Sequence, residues 1–198
     1  MRLILASASP RRAELLRNAG YAFDTVAVEI DERVRSGEPP EDYVRRLAVE
    51  KSARAVDQVG VAVSRSSMTL AADTAVIVSG TVLGKPLQDD EVGRMLELLS
   101  GREHRVLTGI SLRIGPLERG GVESTAVWFA PLSKAEIEWY VASGEGRDKA
   151  GGYAIQGLAS RFIPRIDGSY SNVVGLPVHR VGELMTEMGY APETGTRT

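Results

Sequence analysis

Residues 3–16 read LILASASPRRAELL, and the order of residue types in them decides the first step of the fold. Leu3 to Ala6 is a short apolar run suited to a buried strand. Ser9 then offers an N-cap, Pro10 fits the first helical turn, and Gly20 stops a helix over Pro10 to Asn18. A strand therefore runs straight into a helix, and the junction carries Ser7, Ser9, Arg11 and Arg12. The first amides of a helix have no partner within it and its dipole is positive there, so such a terminus attracts phosphate. Two arginines in that turn oppose the dipole unless an anion sits between them, although a capped helix with two solvated arginines is the plainer reading.

Working outward, Phe23 to Val28 reads as a second strand, followed by the acidic Glu29, Asp31 and Glu32, the loop SGEPPED (36–42) and a helix from about Glu41 to Val56. Val59 to Ser67 reads as a loop. Leu70 to Val78 (LAADTAVIV) has the composition of a central strand, turning through Ser79-Gly80 into Val82-Leu83. A helix over Asp89–Leu99 is stopped by Gly101. Val106 to Ile114 and Glu123 to Ala130 read as a hairpin joined through PLERGG (116–121). Ser133 and Glu136 form a capping-box pattern ahead of a helix ending near Ser143, and a closing helix covers Val178 to Met188. The glycine-rich stretch from Lys149 to Pro177 reads as loops and short strands. Early alternation of strands and helices with later clustering of strands predicts a mixed α/β sheet in one domain over residues 1–190, with 191–198 as a tail.

Within this frame several polar residues stand out of pattern. Asp73 lies among strand residues, where a buried carboxylate needs a cation, a metal or local amide bonds. Lys51 falls four residues after Leu47 on the apolar stripe of its helix; it either snorkels past the core edge or serves a site. Glu32 gains meaning as a second carboxylate beside Asp73, since two carboxylates and substrate phosphates suffice to hold magnesium or manganese. Lys85, before Pro86, has an extended backbone that aims its ammonium outward, in a plain turn or into a cleft. Gln156 sits among glycines in GGYAIQG, with an amide suited to a base presenting adjacent donor and acceptor groups. His104 and His179 lack metal-ligand spacing and read as structural or surface residues, while Trp128, Phe129 and Trp139 read as core.

Composition narrows the options. The 24 basic and 26 acidic residues give a formal net charge of -2, which provides no general field for nucleic acid or an anionic membrane. With no cysteine, thiol catalysis and thiolate metal sites are excluded. Pro10 and two arginines end the opening apolar run too early for a secretory core, and no later run is long enough to span a bilayer, so a cytoplasmic protein is expected.

Taken together, LILASASPRR, YVRRLAVEKSARA (43–55), AADTAV (71–76), LGKP (83–86), LSGREHRVLTG (99–109), DKAGGYAIQG (148–157) and NVVGLPV (172–178) resemble, in order, the motifs of the Maf family of nucleotide pyrophosphatases. The resemblance spans Leu3 to about Gly189. It implies two lobes around a central cleft, an ITPase-like architecture, frequent dimerisation, and metal-dependent cleavage of a nucleoside triphosphate between the α and β phosphates. By the same resemblance Asp73 matches the catalytic aspartate, Glu32 the acidic metal-site residue, Lys51 and Lys85 the site lysines, and Ser7 and Arg11 the phosphate-binding positions. Arg12, Thr74 and Gln156 match the branch acting on dTTP and UTP rather than the one acting on N7-methyl-GTP. Ala154, where glycine is usual, and Asp31, in a pair often made of two glutamates, depart from the pattern. Two other functions compete: a nucleotide-binding regulator of cell division without turnover, and a phosphohydrolase releasing orthophosphate.

Overall fold

The computed structural model describes residues 1–190, so the expected tail at 191–198 lies outside the described residues. Seven strands form one mixed sheet: β1 (Arg2–Leu5), β2 (Phe23–Thr25), β3 (Ser67–Val78), β4 (Thr81–Leu83), β5 (Glu103–Ile114), β6 (Leu117–Trp128) and β7 (Arg165–Asp167). The order is β2-β1-β3-β5-β6-β7, with β4 paired to β3. Parallel pairing is confined to β2-β1 and β1-β3, and the rest is antiparallel. This is the mixed α/β architecture expected. The helices are α1 (Pro10–Asn18), α2 (Pro40–Val59), α3 (Val61–Ser66), α4 (Asp89–Leu99), α5 (Lys134–Ser143), α6 (Tyr170–Val174) and α7 (Val178–Glu187), with 3-10 turns at Ala150–Gly152 and Leu158–Phe162.

The central strand β3 organises the molecule. One of its edges is paired with β5 from Thr69 to Ile77. On its other edge β1 pairs with residues 67–70 and β4 with residues 76–78, so 71–75 have no strand neighbour there. The interruption coincides with a seam between two apolar clusters. Leu3, Leu5, Met68, Leu70, Ala72, Ile110 and Leu112 pack with Leu16 of α1 and Leu184 and Met185 of α7 on one side. Val76, Val78, Val106, Val127 and Phe129 pack with Leu96 of α4, Tyr140 of α5 and Phe162 on the other. Asp73 and Thr74 sit between the two cores, at the free edge.

Several local expectations change. The stretch read as a loop at 59–67 contains α3, and β3 starts at Ser67 rather than Leu70. The hairpin turns through Gly115-Pro116, so PLERGG is mostly strand: Ile114 pairs with Leu117 and Ser111 with Gly120. Gly120 is there because a Cβ would lie 1.8 Å from Arg45 Nη1 and 2.1 Å from the Ile110 carbonyl oxygen. β2 ends at Thr25, β6 ends at Trp128, and the glycine-rich stretch includes α6, capped by the Ser169 hydroxyl accepting from Asn172 N. Trp139 is exposed rather than core, with the Arg161 guanidinium 4.7 Å from its ring centre. The capping box at Ser133 and Glu136 is present as expected. No helix among the described residues is long and apolar enough to cross a membrane.

Candidate active site

Helix α2 brings the first charged group to the seam. It lies against β3 and β5 so closely that a Cβ on Gly109 would fall 2.1 Å from the Val44 carbonyl oxygen, and Gly109 is the register partner of Asp73. The close approach sets Lys51 beside the strand. Its ammonium donates to Asp73 Oδ1 at 2.5 Å and lies 2.6 Å from Glu32 Oε1. Lys51 and Asp73 are both buried. The lysine therefore does not snorkel, and the aspartate is held by a cation rather than by local amides. A buried ion pair formed this way leaves a costly lone charge when either partner is removed.

Glu32 arrives on an irregular segment that α2 straps down. Tyr43 Oη donates to the Glu32 carbonyl oxygen at 3.0 Å, and Arg46 donates to the Arg33 carbonyl oxygen and to both Glu38 carboxylate oxygens. Burial works to raise the Glu32 carboxyl, but the hydrogen bond and charge of Lys51, with Lys85 and Arg12, hold it below its ordinary value. Burial first, then the charges of Asp73 and Glu32, push the Tyr43 hydroxyl up to about 12, so it stays a donor at neutral pH.

Helix α1 supplies the opposite wall. Ser9 is its N-cap by position but makes no side-chain cap bond; instead Ser7 Oγ accepts from Ser9 N at 3.1 Å. Arg12 donates from Nε to the Gly175 carbonyl oxygen at 2.8 Å and from Nη2 to Thr74 Oγ1 at 3.1 Å, with Ser7 Oγ 3.4 Å from Nη1. Desolvation lowers its pKa, opposed mainly by the charge of Asp73. Thr74 Oγ1 in turn lies 2.9 Å from Thr108 Oγ1. Among the described residues neither Arg12 nor Lys85 has a carboxylate within ion-pair distance.

One crevice collects these groups. Arg11, Arg12, Glu32, Lys51, Asp73, Thr74, Lys85 and Gln156 line one hollow, and Ser7, Arg11, Arg12, Glu32, Lys51 and Lys85 line another that shares its wall. All nine sequence-derived site residues thus converge. The lining of the first hollow includes the apolar side chains of Val76, Val82, Val106, Tyr153 and Ala154 and the exposed Gln156. Lys149, Asp148 and Tyr43 belong to the same walls and were not singled out in the sequence; the pair at 148–149 opens the motif that holds Gln156, which was the available signal.

The donor set suits a hard divalent cation. Lys51 occupies one oxygen of each carboxylate, and Asp73 Oδ2 and Glu32 Oε2 carry no hydrogen bond among the described residues. No group of three or more His, Cys, Asp or Glu residues capable of holding a metal is present among them. Magnesium and manganese accept few protein carboxylates when phosphate and water complete the shell.

A family model described as Maf-like protein matches residues 2–188. A protein of Anaeromyxobacter sp. (strain Fw109-5) named dTTP/UTP pyrophosphatase is 50% identical over 194 residues, covering 96% of this chain and 90% of that protein. One of the same name from Symbiobacterium thermophilum is 49% identical over 193 residues, covering 98% and 97%. Among solved structures, a HAM1 protein from Coxiella burnetii aligns over 96% of this chain and all of its own with a TM-score of 0.53 and 17% identity, a likeness of fold alone.

Proposed function

The chain belongs to the Maf-like family, and on that premise we propose that it hydrolyses dTTP and UTP to the nucleoside monophosphate and pyrophosphate. The observation that carries this reading is that Arg12 and Lys85, without carboxylate partners among the described residues, line one crevice with the buried Lys51–Asp73 pair at a gap in the sheet edge. Arg12 is half-buried and Lys85 exposed, and two such cations on one crevice call for a polyanion. The triphosphate lies against Ser7, Arg11, Arg12, Lys51 and Lys85, and the base enters the apolar hollow toward Gln156, whose amide matches the adjacent donor and acceptor of a pyrimidine.

Asp73 and Glu32 would hold a divalent metal, which would supply charge neutralisation at the phosphates. Lys51 keeps the two carboxylates together and Tyr43 fixes the segment that delivers Glu32. Asp73 orients the attacking water and receives its proton, while Arg12 and Lys85 oppose the charge that develops as the α–β bond breaks. Phosphoryl chemistry asks chiefly for such positioning and charge neutralisation. Asp73→Asn leaves Lys51 paired with Glu32, so the variant is expected to fold at reduced stability and to lower pyrophosphate release from dTTP by about 10²- to 10⁴-fold, the scale of losing a general base. Turnover like that of the wild type in this variant, or orthophosphate as the product, would overturn the assignment.

A further inference from the structure

The cleft holds a third carboxylate that hydrolysis does not require. Asp148 lies in the segment between α5 and the first 3-10 turn. Its Oδ2 accepts from Arg11 Nη1 at 3.1 Å, its carbonyl oxygen accepts from Arg11 Nη2 at 3.3 Å, and its Oδ1 accepts from the Lys149 ammonium. The three groups differ in how firmly they are seated. The side chains of Arg11 and Lys149 are 21% and 17% exposed, whereas that of Asp148 is 65% exposed. The cations are therefore the fixed members and the carboxylate the replaceable one. Burial opposes its ionisation, but the bonds from Lys149 and Arg11 keep its carboxyl below the ordinary value, so it is an anion at neutral pH.

We propose that Asp148 is an internal stand-in for phosphate, neutralising Arg11 and Lys149 in the free protein and surrendering them to the ligand's phosphate oxygens. The proposal rests on the nucleotide reading above and adds to it a residue that sets how tightly phosphates are held. An exposed carboxylate pair contributes little, whereas pyrophosphate offers several ionised oxygens to the same guanidinium and ammonium groups. Each binding event must still displace Asp148, and its return to Arg11 favours release of the pyrophosphate product. The opposite role, a carboxylate that merely positions Arg11 for its ligand, predicts the opposite sign on removal.

Calorimetric titration of inorganic pyrophosphate into the full-length protein with magnesium present separates the two. Asp148→Asn is expected to lower the pyrophosphate Kd about fivefold, from the loss of a competing exposed pair, and to strengthen pyrophosphate inhibition of dTTP turnover in proportion. Asp148→Ser is expected to shift both the same way, and Asp148→Glu to restore wild-type affinity. Wild-type binding combined with unchanged or weaker binding by Asp148→Asn and Asp148→Ser overturns the stand-in role alone. A wild-type protein that binds neither pyrophosphate nor dTTP overturns the nucleotide reading with it.

Discussion

At the scale of single residues, the cleft and the core use buried polar groups in opposite ways. In the cleft, Lys51 and Asp73 neutralise one another while Arg12 is satisfied by neutral oxygens. In the core, His104 is enclosed by Phe129 and Tyr153, with Nε2 lying 2.8 Å from Tyr153 Oη and Nδ1 without a partner among the described residues. Burial lowers its pKa to about 4. The histidine is neutral in both states above its ordinary value near 6.5. As pH falls through that value the unfolded chain takes up the proton first, so stability is lost down to about pH 4. Roughly 2 kcal/mol of the loss between pH 7 and pH 5 belongs to this residue. Urea unfolding of wild type and His104→Gln at the two pH values is expected to show a shallower loss in the variant; equal slopes would remove His104 as the cause. The sequence leaves His104 as either structural or surface and does not reveal its partner, because the pairing with Tyr153 spans 49 positions.

At the scale of elements, what was legible depended on whether local chemistry agreed with tertiary packing. The strand-to-helix junction at 3–18, the buried strand around LAADTAVIV and the capping box at Ser133 carry their own signals, and all are present. Glycines mislead where they serve contact rather than turning: Gly120 admits the Arg45 guanidinium, so a strand has the sequence of a connection. The six-residue α3 and five-residue α6 are too short to show a period. Gly109 gives the element scale its test. A methyl group there would meet the Val44 backbone at 2.1 Å, which no side-chain rearrangement relieves, so α2 must lift from the sheet and carry Lys51 away from Asp73. Gly109→Ala is expected to destabilise the protein by about 3 kcal/mol or more, as overpacking against rigid neighbours does, and to depress dTTP turnover. A denaturation midpoint and turnover both equal to those of the wild type would contradict the tight seating of α2.

At the scale of the whole molecule, the site follows from an interruption. β3 runs through two apolar clusters, and at their seam its outer edge is paired by neither β1 nor β4. Two of the four polar residues of the central strand, Asp73 and Thr74, fall in that gap, and α1, α2 and the segments around Lys85 and Gly175 enclose it. Sequence reasoning supplied the list of residues. It did not supply the gap, which needs the long-range β1–β3 pairing beside the local β3–β4 hairpin, nor the finding that Lys51 joins both carboxylates at once. The most direct test is a crystal structure of the protein with manganese and α,β-imido-dUTP, which resists cleavage at the bond in question. Phosphates are expected between the first turn of α1 and Lys85, manganese on Asp73 and Glu32, and the base beside Gln156. Nucleotide bound elsewhere on the surface, with the Lys51–Asp73 cleft empty, would contradict it.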